Sequence, residues 1–304
     1  MKIGIEIEGF VYNNQQRVDV YQVFGEGEVF KGIGVYKTDA GKHQLEIALE
    51  PVRTSKELKE LIKEALSQLP FSWTIFFEGT DPYSEDGEEL PWAPKPRYKA
   101  LRKALEIEAG PSAKGVREVS RFSSTHFHIG IDPFSEEGLK LLNCLNRWAP
   151  FLAVLFAHPY PSYRLRKCWW GWGNNARLPG YRFFKSQKEL KETLFSLPQL
   201  VKVNKDKEWL PYLKPPKELT SLHLGTIYWW VRPRPDYGTV EFRPFDALPP
   251  PLLIDAFETM RNLIDFILSS KKNLPSFPEY QWWQMISHQD KNLAQRFFKK
   301  IKVL

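Results

Sequence analysis

Glu6 and Glu8 in GIEIEGF, Glu46 and Glu50 in HQLEIALEP, His126 and His128 in STHFHIGI, and Glu241 and Arg243 in GTVEFRPF sit at even spacings among apolar neighbours. In a β-strand alternate side chains share a face. Glu6 and Glu8 then lie opposite Ile5 and Ile7, and Glu46 and Glu50 opposite Leu45, Ile47 and Leu49. His126 and His128 lie opposite Phe127 and Ile129, and Glu241 and Arg243 opposite Val240 and Phe242. If the four strands join one sheet, its apolar face packs on a core. The other face gathers carboxylates, imidazoles and a guanidinium. Carboxylates crowded in that way repel, and burying them unpaired is costly. Hard divalent cations such as Mg²⁺ or Mn²⁺ would remove the conflict, because oxygen-rich sites suit them. A merely wet sheet face also alternates polar and apolar residues, but it usually mixes in Thr, Lys, Ser and Gln. Here no Lys lies between the acidic residues of each strand.

The elements that must position these groups are legible as patterns. Strands are predicted over 3–12, 43–50, 72–78, 122–131, 222–231 and 238–244, and 27–37 reads as a strand or as irregular chain. The spacing predicts a helix capped by Thr54 and Glu57, with Leu58, Leu61, Ile62 and Ala65 on one face. A second starts at Ser135 and runs through Leu139, Leu142, Leu145 and Trp148 toward Pro150 and on to Ala157, with Pro150 the point where it would kink or break. Ser186 and Glu189 cap a third, and 252–268 is strongly amphipathic. Helices are also expected over 98–108 and from about residue 280, and 79–96 reads as a loop. Arg232 to Tyr237 reads as the link between the last two strands. The mixed order favours an α+β domain, an antiparallel sheet backed by helices.

Composition narrows the class. With 42% hydrophobic and 26% charged residues, the 304-residue chain reads as an ordinary globular protein, taken as a single domain over 1–304. Cys144 and Cys168 have no CxxC spacing, which argues against a disulfide scaffold or a thiolate zinc site and favours a reducing compartment. No basic-then-apolar leader and no run long enough to span a bilayer is read, so a cytoplasmic protein without a membrane partner is expected. The net charge of +7 raises the question of nucleic acid. The Lys residues fall on amphipathic helices and in the tail, and no nucleic-acid motif is read, so attraction of anionic small molecules is the favoured use of the charge.

The ordered set GIEIEGF, QLEIALEP, STHFHIGI, APFLAVLFAHPYPSYR and RPRPDYGTVEFRPFDA resembles the bacterial-type glutamate–cysteine ligase and carboxylate–amine ligase family, within the glutamine-synthetase-like superfamily and close to the amidoligases. The resemblance implies an antiparallel sheet forming a funnel with helices behind it, a glutamine-synthetase-like catalytic domain, and ATP with divalent metals inside. It implies that Glu6, Glu8 and Glu46 are metal carboxylates, with Glu50 a possible second member of its strand's pair. It implies that His126 is the metal-binding His, that Glu241 is the late metal carboxylate, and that Arg243 contacts a substrate carboxylate or phosphate. The chain is shorter than many family members, and 167–179 is unusually aromatic.

The chemistry expected is amide formation: ATP converts a carboxylate, of the glutamate γ-carboxylate kind, to an acyl phosphate, which an amine attacks. One metal is expected on Glu8, His126 and Glu241, and another on Glu6 and Glu46. Arg243 and Glu50 are the candidate catalytic residues; losing a charge clamp such as Arg243 typically costs about 3 kcal/mol or more of barrier. Arg232, then Arg177, are the candidate nucleotide or substrate contacts. His128 reads equally as a substrate-orienting group or a satisfied sheet residue. Trp229 and Trp230, like Trp169 and Trp170, read as core or pocket wall. Alternative readings are an amidoligase for a peptide or a non-cysteine amine, an inactive nucleotide- or metal-binding relative, and a basic nucleic-acid-binding domain. Homo-oligomerisation is left open.

Overall fold

The computed structural model describes residues 1–85, 88–95, 98, 99, 102, 119–157, 182–197, 200–203, 208–211 and 216–270. Strands are β1 (Ile3–Asn13), β2 (Gln16–Arg17), β3 (Glu28–Phe30), β4 (Gly34–Thr38), β5 (Gln44–Val52), β6 (Thr74–Phe76), β7 (Ser124–Ile129), β8 (Leu200–Val203), β9 (Glu208–Pro211), β10 (Val231–Arg234) and β11 (Thr239–Asp246). Helices are α1 (Val20–Phe24), α2 (Ser55–Ser67), α3 (Glu136–Leu155), α4 (Gln187–Ser196), α5 (Ser221–Gly225) and α6 (Pro250–Ser269).

The main sheet runs β10-β11-β7-β1-β5-β4-β3, with β2 and β6 paired to β1, and every pairing is antiparallel. The alternation read from sequence sets its two faces. Ile3, Ile5 and Ile7, Leu45, Ile47 and Leu49, Phe127 and Ile129, and Val240 and Phe242 are buried in one core. Helices α2, α3 and α6 cover that side: α2 packs on β5, α3 on β10 and β11, and α6 against α2 and α3. The expected antiparallel sheet backed by helices is therefore what the chain forms. Strands β8 and β9 make a separate hairpin that the pattern reading did not anticipate.

Local signals placed the helix starts. Thr54 Oγ1 accepts the Glu57 N–H at 3.1 Å, while Glu57 Oε2 accepts the Arg53 N–H at 2.7 Å. Ser186 and Glu189 repeat the device at α4, with Glu189 Oε2 accepting from Lys185 N at 2.6 Å. Helix α3 runs unbroken from Glu136 to Leu155, close to the expected end at Ala157, with Pro150 inside it among buried apolar neighbours that hold the helix across the missing N–H. One expectation fails. The stretch 222–231 is no strand: Thr220 caps the short α5, and β10 begins only at Val231, so Arg232 to Arg234 are strand residues rather than a link. The apolar run there also suits a helix turn, and tertiary contacts to the Leu224, Gly225 and Ile227 carbonyls decide the matter. Most of the helix expected over 98–108, the tail helix, and the aromatic segment 167–179 lie outside the described residues. Among the described residues no helix is long and apolar enough to cross a membrane.

Candidate functional site

The polar face of the sheet forms an acidic floor whose composition follows from strand register. Arg232 of β10 stands opposite Glu241 of β11, and Glu241 opposite His128 of β7. His126 of β7 stands opposite Glu6 of β1. Glu8 stands opposite Glu46 of β5, and Glu46 opposite Lys37 of β4. Directly paired residues are neighbours on one face, so each pairing sets two ionisable groups side by side.

His126 Nδ1 lies 2.8 Å from Glu6 Oε2 and 3.7 Å from Glu241 Oε1, and His126 Nε2 lies 3.6 Å from Glu8 Oε1. His128 Nε2 is 3.5 Å from Glu6 Oε1 and 3.9 Å from Glu241 Oε1. Glu8 Oε2 accepts the Ser124 N–H at 2.6 Å, and Lys37 Nζ lies 2.7 Å from Glu46 Oε1. Glu241, fully buried, is gripped by guanidinium groups. Arg232 donates to it through Nε and Nη2, Arg243 Nη1 donates at 2.6 Å, and Arg234 Nη1 is 3.6 Å away.

These contacts pull protonation in opposite directions along the floor. Burial opposes ionisation of Glu6 and Glu241. The imidazoles His128 and His126 overcome it at Glu6, and Arg232 and Arg243 overcome it at Glu241, so both carboxyls lie well below the usual range. Glu8 goes the other way: burial, then the charges of Asp39 and Glu46, raise it well above that range. Burial raises Glu46 to about 7 against the pull of Lys37, with Glu6 and Asp39 pushing upward too. Burial and the nearby Arg243 push His126 down to about 4, which leaves a neutral imidazole at neutral pH.

The floor opens into a cavity of about 310 Å³, whose lining includes Glu6, Glu8, Lys37, Asp39, Glu46 and Arg243. Glu8, Asp39, His126, Tyr228 and Arg243 also line a smaller one of about 70 Å³, walled by Trp229 and Trp230. The larger volume is at the low end for a small-molecule site. The donor set suits a hard cation: Glu6, His128 and Glu241 each offer a ligand atom, all within 4.8 Å of one another. The buried His128 Nε2 has no hydrogen-bond partner, and Glu8 and Glu46 crowd beside other carboxylates.

The sequence-predicted residues Glu6, Glu8, Glu46, His126, His128, Glu241 and Arg243 are thus brought together. The expected grouping put Glu8 and His126 with Glu241; here Glu6, His128 and Glu241 offer ligand atoms within 4.8 Å of one another, with His126 beside them. Glu50 is a correction. The β1–β5 register shifts between Ile3 and Ile5, the alternation beyond Leu49 is lost, and Glu50 is exposed beside Thr54, Glu57 and Glu60 on a separate surface groove. Arg232 lines the larger cavity but is 5% exposed, and its donors are engaged by Glu241 and by the Leu224, Gly225 and Ile227 carbonyls, so it ties the α5 turn to β11. Arg177 lies outside the described residues. Pattern reading missed Lys37 and Asp39. Alternation in VYKTD is the signal that could have found them, since it puts both on one face where the segment is extended.

The family model described as glutamate–cysteine ligase family 2 (GCS2) matches residues 2–273. A protein of Thermobifida fusca (strain YX) named "Putative glutamate–cysteine ligase 2" is 27% identical over 172 residues, 56% of this chain and 37% of that protein. A Legionella pneumophila (strain Corby) protein named "Putative glutamate–cysteine ligase 2-2" is 28% identical over 162 residues, 51% of this chain and 38% of its own length. The matched stretch therefore spans well under half of these relatives. Among solved structures, a bifunctional glutathione synthetase from Pasteurella multocida superposes with a TM-score of 0.54 at 14% identity, over 97% of this chain and 41% of that one. A glutamate–cysteine ligase from Francisella tularensis, in complex with AMP, gives 0.52 at 15% identity, over 96% and 70%. At those identities the two structures share the fold with this protein. With the family model spanning nearly the whole described molecule, the chain belongs to glutamate–cysteine ligase family 2.

Proposed function

We propose that this protein is an ATP- and Mg²⁺-dependent ligase that joins a carboxylate, of the glutamate γ-carboxylate kind, to an amine through an acyl phosphate. The observation that carries the reading is the convergence of Glu6, Glu8, Glu46, His126, His128 and Glu241 on one cavity floor, with Arg243 at its wall. Amide formation from a free carboxylate is uphill in water. Transfer of the terminal phosphoryl group to a carboxylate oxygen gives an anhydride, and attack of the amine on its carbonyl carbon releases phosphate. Such transfers depend on positioning and charge neutralisation more than on covalent help from the protein.

Mg²⁺ or Mn²⁺ held by Glu6, His128 and Glu241, with Glu8 and His126 beside them, would neutralise charge on the phosphate oxygens. The chain's own groups do the rest. The neutral His126 keeps a lone pair free of a proton at physiological pH. Arg243 lines both cavities with a side chain 17% exposed, and it offers a planar cation to an anionic oxygen of the substrate. Trp229 and Trp230 wall the smaller recess and limit water there. An amidoligase acting on a peptide or another amine would share all of this chemistry and differ in the amine alone.

The test is ADP release over a panel of carboxylates and amines, alongside thermal melts with Mg·ATP. A ligase releases ADP only when both substrates are present, and Mg·ATP raises its melting temperature. No shift at millimolar Mg·ATP, and no ADP with any pair, would overturn the reading. The amine that supports turnover separates glutamate–cysteine ligase from amidoligase.

A further inference from the structure

Lys37 stands at the outer edge of the acidic floor, on β4, directly opposite Glu46 of β5. Its Nζ lies 2.7 Å from Glu46 Oε1. The charges of Glu6 and Asp39 act on the same ammonium, and all four residues line the larger cavity. An ordinary surface Lys–Glu pair is solvated and contributes little. This one is not on the outer surface: the Glu46 side chain is 8% exposed and the Lys37 side chain 26%. At the opposite edge of the floor Arg232 and Arg243 close on Glu241. Cations that belong to the chain therefore bracket the floor, with Glu6, Glu8, His126 and His128 between them.

The Lys37 ammonium and a divalent ion beside the same carboxylate would repel each other at that range. We infer that Lys37 is a resident counter-cation, whose ammonium holds the place beside Glu46 that a divalent ion would otherwise take. Divalent binding beside Glu46 is thereby weakened. Lys37 acts by positioning charge and touches no reacting atom. The inference rests on the proposed reading of the cavity as a divalent-cation ligase site, and it departs from the expectation that Glu6 and Glu46 share a second metal.

The test is Mn²⁺ binding to the full chain without nucleotide, followed by the paramagnetic signal of free Mn²⁺. Lys37→Met should take up an additional Mn²⁺ per chain, or bind its weakest Mn²⁺ about tenfold more tightly, as expected when a neighbouring positive charge is removed. Lys37→Arg keeps the charge and should titrate like the unmodified protein. Adding Glu46→Gln to Lys37→Met should abolish the gain. Lys37→Gln replaces the Met variant if circular dichroism shows that one unfolded. Identical titrations of the unmodified protein and the neutral variant, both binding Mn²⁺, would overturn the role of Lys37 and leave the ligase reading standing. A gain of Mn²⁺ in Lys37→Arg would overturn it as well. No Mn²⁺ binding by either protein would overturn this inference and the metal reading together.

Discussion

Arg232 and Glu241 face each other across β10 and β11, and the guanidinium of the first closes on the carboxylate of the second through Nε and Nη2. The same guanidinium sends Nη1 to the Leu224, Gly225 and Ile227 carbonyls, at 3.3, 3.2 and 2.8 Å. One planar cation therefore joins a strand on the cavity floor to the turn that walls the cavity. Burial and the neighbouring Arg243 lower Arg232 to about 10, which still leaves it cationic at neutral pH. A carboxylate removed from water would be costly to keep ionised without such partners.

Replacing Arg232 by Met should therefore unfold the protein more easily, by about 3–5 kcal/mol, the range for breaking a buried ion pair on one side. Arg232→Lys keeps the charge but loses the fork, and an intermediate loss is expected. Urea denaturation measures both. A loss below about 1 kcal/mol for Arg232→Met would show that the pair contributes no more than a surface bridge.

The grip on Glu241 also decides which carboxylate is the cleaner probe of the floor. Glu241→Gln would leave the guanidiniums of Arg232, Arg234 and Arg243 around a neutral amide, so stability and turnover should fall together. Glu6 contacts His126 and His128, and its side chain is 19% exposed. Glu6→Gln should fold normally and lose ADP formation by about 100-fold or more, since it removes a charge that would hold the metal. Wild-type ADP release from a folded Glu6→Gln variant would remove Glu6 from the proposed machinery.

Away from the floor, Asp81 is the hub of a second buried network. Tyr12 Oη donates to Asp81 Oδ2 at 2.5 Å, His43 Nε2 lies 2.8 Å from the same oxygen, and Arg17 Nη2 is 3.4 Å from Oδ1. Burial works to raise Asp81, but the hydrogen bonds from His43 and Tyr12, and the charge of Arg17, hold it at about 2 against an ordinary 3.8. A carboxylate depressed in the folded state stabilises the protein above its unfolded value, and that contribution is lost as pH falls through the folded one. Melting temperature should thus drop on acidification from about pH 4 toward pH 2. Asp81→Asn should flatten that part of the profile, having lost the stability already at neutral pH. Parallel slopes for the two proteins would show that other carboxylates carry the acid sensitivity.

Alternation within each segment was enough to put Glu6 with Glu8 and His126 with His128, each pair opposite an apolar partner face, because the side-chain period of a strand is a local property. The caps at Thr54 and Ser186 were legible for the same reason, since donor and acceptor lie within a few residues. Partnership across strands was not. Which residue faces Glu241, whether Glu50 stays with Glu46, and that Lys37 reaches Glu46 all depend on register. Register is settled by pairing among segments far apart in the chain, and one slip moves a side chain to the other face. By itself the sequence determined which groups are available to a polar sheet face. The tertiary structure alone decided which of them meet, and which are already matched by the chain's own cations, because ion pairing depends on distances that local periodicity does not contain.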